Sequence, residues 1–106
     1  MSQPTYKPVT IANTGTTSST YETLGALKGS FQLPTFTGTS LTINVSNDNT
    51  TFTACPVEGN EANPMTVSAS GGAYSLPVKA FSFRYIQLVS GSAQGAARTI
   101  LIVTRD

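Results

Sequence analysis

The chain has 106 residues, of which 39% are hydrophobic and only 10% charged, with a formal net charge of +1. That length holds one core and one domain spanning residues 1–106, and the charge balance excludes a highly charged disordered segment and a basic nucleic-acid binder. The 17 Thr and 12 Ser supply much of the polarity, and β-branched Thr suits strands whose outer face stays wet.

At the amino end, Met1 to Pro8 contains no apolar stretch of signal-peptide length, and no stretch of the chain approaches a membrane span. Residues 1–7 read as an extended arm, followed by a first strand over residues 8–12. Tyr6, Pro8, Val9 and Ile11 have two readings. They are either anchors of an arm that adds main-chain hydrogen bonds along a neighbouring subunit, or, for Val9 and Ile11, core positions of that first strand. Residues 13–20 are small and polar without an apolar anchor, which reads as a flexible loop. Residues 21–28 are the one helical candidate, too short and interrupted by Gly25, so a loop or a single turn is expected there.

A strand over residues 29–33 precedes the clearest one, Ser40 to Ser46, where Leu41, Ile43 and Val45 alternate with Thr42 and Asn44. Asn47-Asp48-Asn49-Thr50 then supplies turn residues before strand character resumes over residues 51–57, giving a hairpin. Weaker strands follow at residues 65–69 and 74–78, with Ser70-Gly71-Gly72-Ala73 as a tight reversal between them. Phe83 to Val89 alternates with cover on both faces, as in a central strand. Residues 91–97 read as a wide, mobile hairpin loop to the last strand, residues 98–105. There four consecutive apolar residues predict burial on both faces, with the flanking arginines reaching solvent. About eight short antiparallel strands with turn signals between them predict an all-β, single-domain, jelly-roll-like β-sandwich.

The catalytic inventory is one of exclusions. With no His, the usual base near neutral pH and the Ser-His and Cys-His arrangements are missing. The carboxylates Glu22, Asp48, Glu58, Glu61 and Asp106 leave paired-acid glycoside hydrolysis open by residue type, but Glu58 and Glu61 fall in a loop, residues 58–64, with no aromatic cleft implied. Zinc lacks ligands, since Cys55 is the sole cysteine, and a single Cys excludes an intramolecular disulfide. Asn47-Asp48-Asn49 lacks the spacing of a calcium loop and reads as a turn. No enzyme activity, cofactor or metal is expected. Lys7, Lys28, Lys79, Arg84, Arg98 and Arg105 are scattered, so no nucleic-acid surface is expected either. Tyr6, Tyr21, Tyr74 and Tyr85 offer rings for stacking on sugars, against the alternative that they pack in or near the core with their hydroxyls wet.

The run Leu41 to Phe52, followed downstream by Phe83-Arg84-Tyr85-Ile86-Gln87-Leu88-Val89, resembles the strand, turn and Arg-Tyr-Ile-x-Leu pattern of galactose-binding, discoidin-like jelly rolls. It is also similar to small structural proteins of tailed phages, with the likeness covering residues 40–105. Asn49 stands where that pattern has Gly, and Phe52 where it has Trp. The resemblance implies a non-enzymatic virion component, synthesised in the host cytoplasm: a head decoration, cement or head-fibre-base protein. Its implied partners are other virion proteins of the capsid or tail and further copies of itself as a homo-oligomer, with no nucleic acid and no membrane. The alternative is a carbohydrate-binding adsorption module of a tail or baseplate.

Overall fold

Alternation of apolar and polar residues builds two antiparallel sheets packed face to face. A computed structural model describes residues 5–59 and 61–105. In chain order the strands are β1 (Thr5–Ile11), β2 (Tyr21–Glu22), β3 (Lys28–Leu33), β4 (Ser40–Ser46), β5 (Thr53–Ala54), β6 (Met65–Thr66), β7 (Gly72–Ser75), β8 (Tyr85–Ser90) and β9 (Arg98–Arg105), with a 3-10 turn at Val78–Ser82 before β8. One sheet has the order β1-β9-β3-β7. The other runs β2-β8-β4-β5, with β6 alongside β4 in line with β5. Apart from the short β6, this is the strand order of an eight-stranded jelly roll: every connection crosses between the sheets except the β4–β5 hairpin. The all-β sandwich expected from the sequence is the fold observed.

The core is the inward row of each strand. Val9, Ile11, Phe31, Leu33, Ile100 and Ile102 face Tyr21, Leu41, Ile43, Val45, Ile86 and Leu88 across the sandwich, all at 3% exposure or less. Each such side chain contributes about 1.5–3 kcal/mol on leaving water. Between β5 and β6 the ladder beside β4 is completed by a side chain. Asn63 accepts the Ile43 N–H at its Oδ1 and donates from Nδ2 to the carbonyls of Ile43 and Cys55, each at 2.9 Å. The β4–β5 turn places Asn49 at φ 60, a left-handed conformation that Asn tolerates. Gly71 has φ +96 and lies so close to the Leu33 carbonyl that a Cβ would sit 2.5 Å from it, so only glycine fits there.

Several sequence expectations are corrected. Residues 21–22 form a strand because Tyr21 is a core residue, 1% exposed and paired with Ile86. The strand expected over residues 51–57 shrinks to Thr53–Ala54. The one expected over 74–78 ends at Ser75, where Leu76 and Pro77 lead into the 3-10 turn. Residues 70–73 and 91–97 are not hairpin reversals, since each carries the chain from one sheet to the other. Nor is β9 buried on both faces: Ile100, Ile102 and Thr104 point inward, while Leu101 is 38% exposed, because nothing in the described chain covers the outer side of the β1-β9-β3-β7 sheet.

The two loops expected to be mobile are tied down and to each other. The Ser18 N–H donates to the Leu88 carbonyl and the Ser90 N–H to the Thr16 carbonyl. The Thr14 N–H donates to the Gln94 carbonyl, and the Gln94 N–H to that of Gly15. Gln94, 1% exposed, holds this end of the sandwich from inside. Its Oε1 accepts the Thr37 N–H and the Arg98 Nε–H, and its Nε2 donates to the Thr37 carbonyl and the Ser90 hydroxyl.

Candidate interaction surface

The first strand positions two of the four residues singled out at the amino end on the surface and two in the core. Thr5 to Ile11 pair in register with Thr104 to Arg98 of β9, so residues 5–7 of the expected arm belong to the sheet, and residues 1–4 lie outside the described residues. Period-two alternation turns Val9 and Ile11 inward, at 1% and 0% exposure, which removes them as anchors on a neighbour. Tyr6, 57% exposed, and Pro8 remain on the outer face.

Directly opposed residues of an antiparallel pair share a face, so the register defines this surface row by row. Tyr6, Val103, Ser30 and Ser75 form one row across β1, β9, β3 and β7, and Pro8, Leu101, Gln32 and Ala73 form the next. The β1–β9 half is therefore apolar, with Tyr6 against Val103 and Pro8 against Leu101, and the β3–β7 half is polar apart from Ala73. The outer face of the other sheet contrasts with it. There Thr42, Asn44, Gln87, Glu22, Tyr85 and Val89 are all half-buried, Gln87 separates the two apolar side chains of β8, and Arg84 lies over the Tyr85 ring at 5.4 Å while reaching Glu22 at 3.4 Å. Among the described residues only the first face presents a contiguous apolar stripe.

The exposed edge of β1 is poorly made for strand addition. The Thr10 N–H donates to the Ser19 hydroxyl, and the Thr10 carbonyl accepts the Ser19 N–H, so the backbone of Thr10 points away from β9 and is already satisfied. Alternation turns the backbone groups of Pro8 and Tyr6 the same way. Pro8 has no N–H, which leaves Tyr6 as the outward donor along this stretch of edge. Proline at the outward position of an edge strand blunts pairing. The surface is suited to contact through its face rather than its edge.

The four tyrosines proposed for sugar stacking are not brought together. Tyr21 is buried, with its hydroxyl 2.8 Å from that of Thr104. Tyr74 stacks on Phe31 with ring centroids 5.5 Å apart, and its hydroxyl accepts the Ser68 N–H. Tyr6 and Tyr85 stand on opposite outer faces. The Asn47-Asp48-Asn49 segment is a self-satisfied turn: Asp48 Oδ1 accepts the Thr50 and Thr51 N–H groups and the Ser46 hydroxyl. Those bonds, led by the Thr51 N–H, lower its pKa from 3.8 to about 2. Burial raises the pKa of the Cys55 thiol, keeping it protonated.

Sequence reasoning missed Leu101 and Val103, because an unbroken apolar run carries no sign of which alternate residues stay uncovered. It also missed a cleft of about 390 Å³ next to the apolar stripe, where Lys28, Ser30, Ser75, Val78 and Arg105 meet Glu61. These residues come from β3, β7, β9 and the loops beside them, and no local motif announces the meeting.

No protein-family model matches the sequence, and no curated protein sequence does. The fold is similar to that in the crystal structure of the SPBc2 prophage-derived protein YomS, with a TM-score of 0.67 over 98% of this chain and 96% of that one, at 8% sequence identity.

Proposed function

We propose that this chain is a non-enzymatic structural component of a tailed-phage virion, a head decoration, cement or fibre-base protein that works by docking the outer face of its β1-β9-β3-β7 sheet on another virion protein. The observation that carries this reading is the apolar stripe of Tyr6, Pro8, Leu101 and Val103, four residues brought side by side on one sheet face by the β1–β9 pairing. The likeness in fold to a prophage-derived protein supports the phage context. The carbohydrate-binding alternative has less support, since Tyr21 and Tyr74 are engaged in packing and in hydrogen bonds.

Mass spectrometry of gradient-purified particles from a phage that encodes this chain tests the proposal. The chain is expected in stoichiometric amount, and Leu101→Glu, which places a charge in the stripe without touching the core, is expected to remove it from particles while the free protein still folds. Absence of the chain from particles, or unchanged incorporation of Leu101→Glu, refutes the reading.

A further inference from the structure

The outer face of the β1-β9-β3-β7 sheet has a cationic end. Lys28 on β3 is paired directly with Arg105 on β9, one step beyond the row of Tyr6, Val103, Ser30 and Ser75. Alternation puts both side chains on the same outer face as that row. Like charges directly opposite on a sheet are unfavourable. Among the described residues neither forms a salt bridge: Glu58 is paired with Lys79 and Glu22 with Arg84. Glu61 shares the cleft, but its Oε1 and Oε2 are turned to the N–H groups of Glu58 and Val78, at 3.3 Å each. The cleft therefore holds two exposed cations against one carboxylate, with the Ser30 and Ser75 hydroxyls beside them, and is continuous with the apolar stripe through Val103.

We infer that the partner segment received by this face is acidic at one end and apolar beyond it on the same side, its carboxylates held by Lys28, Arg105 and Ser30 and its apolar side chains laid against Val103, Leu101 and Tyr6. The inference rests on the reading of this face as a docking surface, and adds the chemistry of what docks. Charge complementarity selects the occupant. A carboxylate between Lys28 and Arg105 relieves their mutual repulsion, whereas a basic or neutral segment leaves it in place.

Fluorescence anisotropy with a short labelled peptide that begins with two Glu and continues with Leu at every second position and Ser between, against the same peptide with Gln for Glu, tests this at low ionic strength. The Glu peptide is expected to bind about tenfold more tightly than the Gln peptide, and the preference to shrink as salt is raised. Lys28→Gln combined with Arg105→Gln is expected to abolish the preference, and Leu101→Ser to weaken both peptides alike, with denaturation curves verifying that each variant is folded. Equal affinity of the two peptides, binding of neither, or a preference that survives the double substitution overturns the inference. If both peptides bind equally and Leu101→Ser weakens both, the docking face stands and its proposed acidic selectivity falls.

Discussion

The Tyr21 and Thr104 hydroxyls lie 2.8 Å apart inside the sandwich and join β2 of one sheet to β9 of the other. Tyr21 is 1% exposed and Thr104 3%, so each is the other's means of satisfying a polar group in an apolar layer. Tyr21→Phe is expected to lower stability by about 1–2 kcal/mol in urea denaturation, because the Thr104 hydroxyl loses its partner. Adding Thr104→Val to that variant should cost little more, since both polar groups are then gone.

Gln94 is a side chain on which several segments depend. Gln94→Ala removes the acceptor for the Thr37 N–H and the Arg98 Nε–H and leaves the Ser90 hydroxyl without the Nε2 donor. A loss of about 2–4 kcal/mol is expected. Limited proteolysis should then cut within residues 91–97 and 13–17, which the native protein protects through the hydrogen bonds between them.

Asp48 makes stability depend on pH in one direction. Its folded-state pKa, about 2 rather than 3.8, is depressed, chiefly by the Thr51 and Thr50 N–H donors. Its contribution is therefore complete above pH 3.8 and is lost as pH falls toward 2. A carboxyl carbon NMR titration should place its midpoint near 2, and Asp48→Asn should flatten the acid limb of the stability profile in that window.

The Lys28–Arg105 pair predicts a substitution that stabilises. Lys28→Glu turns a repulsive cross-strand pair into an attractive one and should raise stability by roughly 0.5 kcal/mol at low salt, with the gain fading as salt is added. Thermal unfolding at two ionic strengths checks it.

Much of the fold is legible in the sequence where burial is one-sided. The Leu41, Ile43 and Val45 alternation and the Asn47 to Thr50 turn read directly as β4 and its hairpin. The Ile100 to Val103 run misleads, because hydrophobic type reports that a position tolerates burial and not that a second layer covers it. Residues 13–17 mislead in the opposite sense: their anchors are main-chain hydrogen bonds, to which side-chain polarity is blind. The candidate surface was half legible. Tyr6 and Pro8 stand out in the sequence, but their neighbours Leu101 and Val103 are nearly a hundred residues away along the chain and become neighbours only through the β1–β9 pairing.

The most direct test of the docking face is hydroxyl-radical footprinting of the chain on purified particles against the free protein, read at Tyr6, Leu101 and Tyr85. Tyr6 and Leu101 are expected to be protected on the particle while Tyr85, on the opposite face, labels as it does in solution. Protection of Tyr85 with Tyr6 and Leu101 labelled as in the free protein would contradict the account and move the contact to the other sheet.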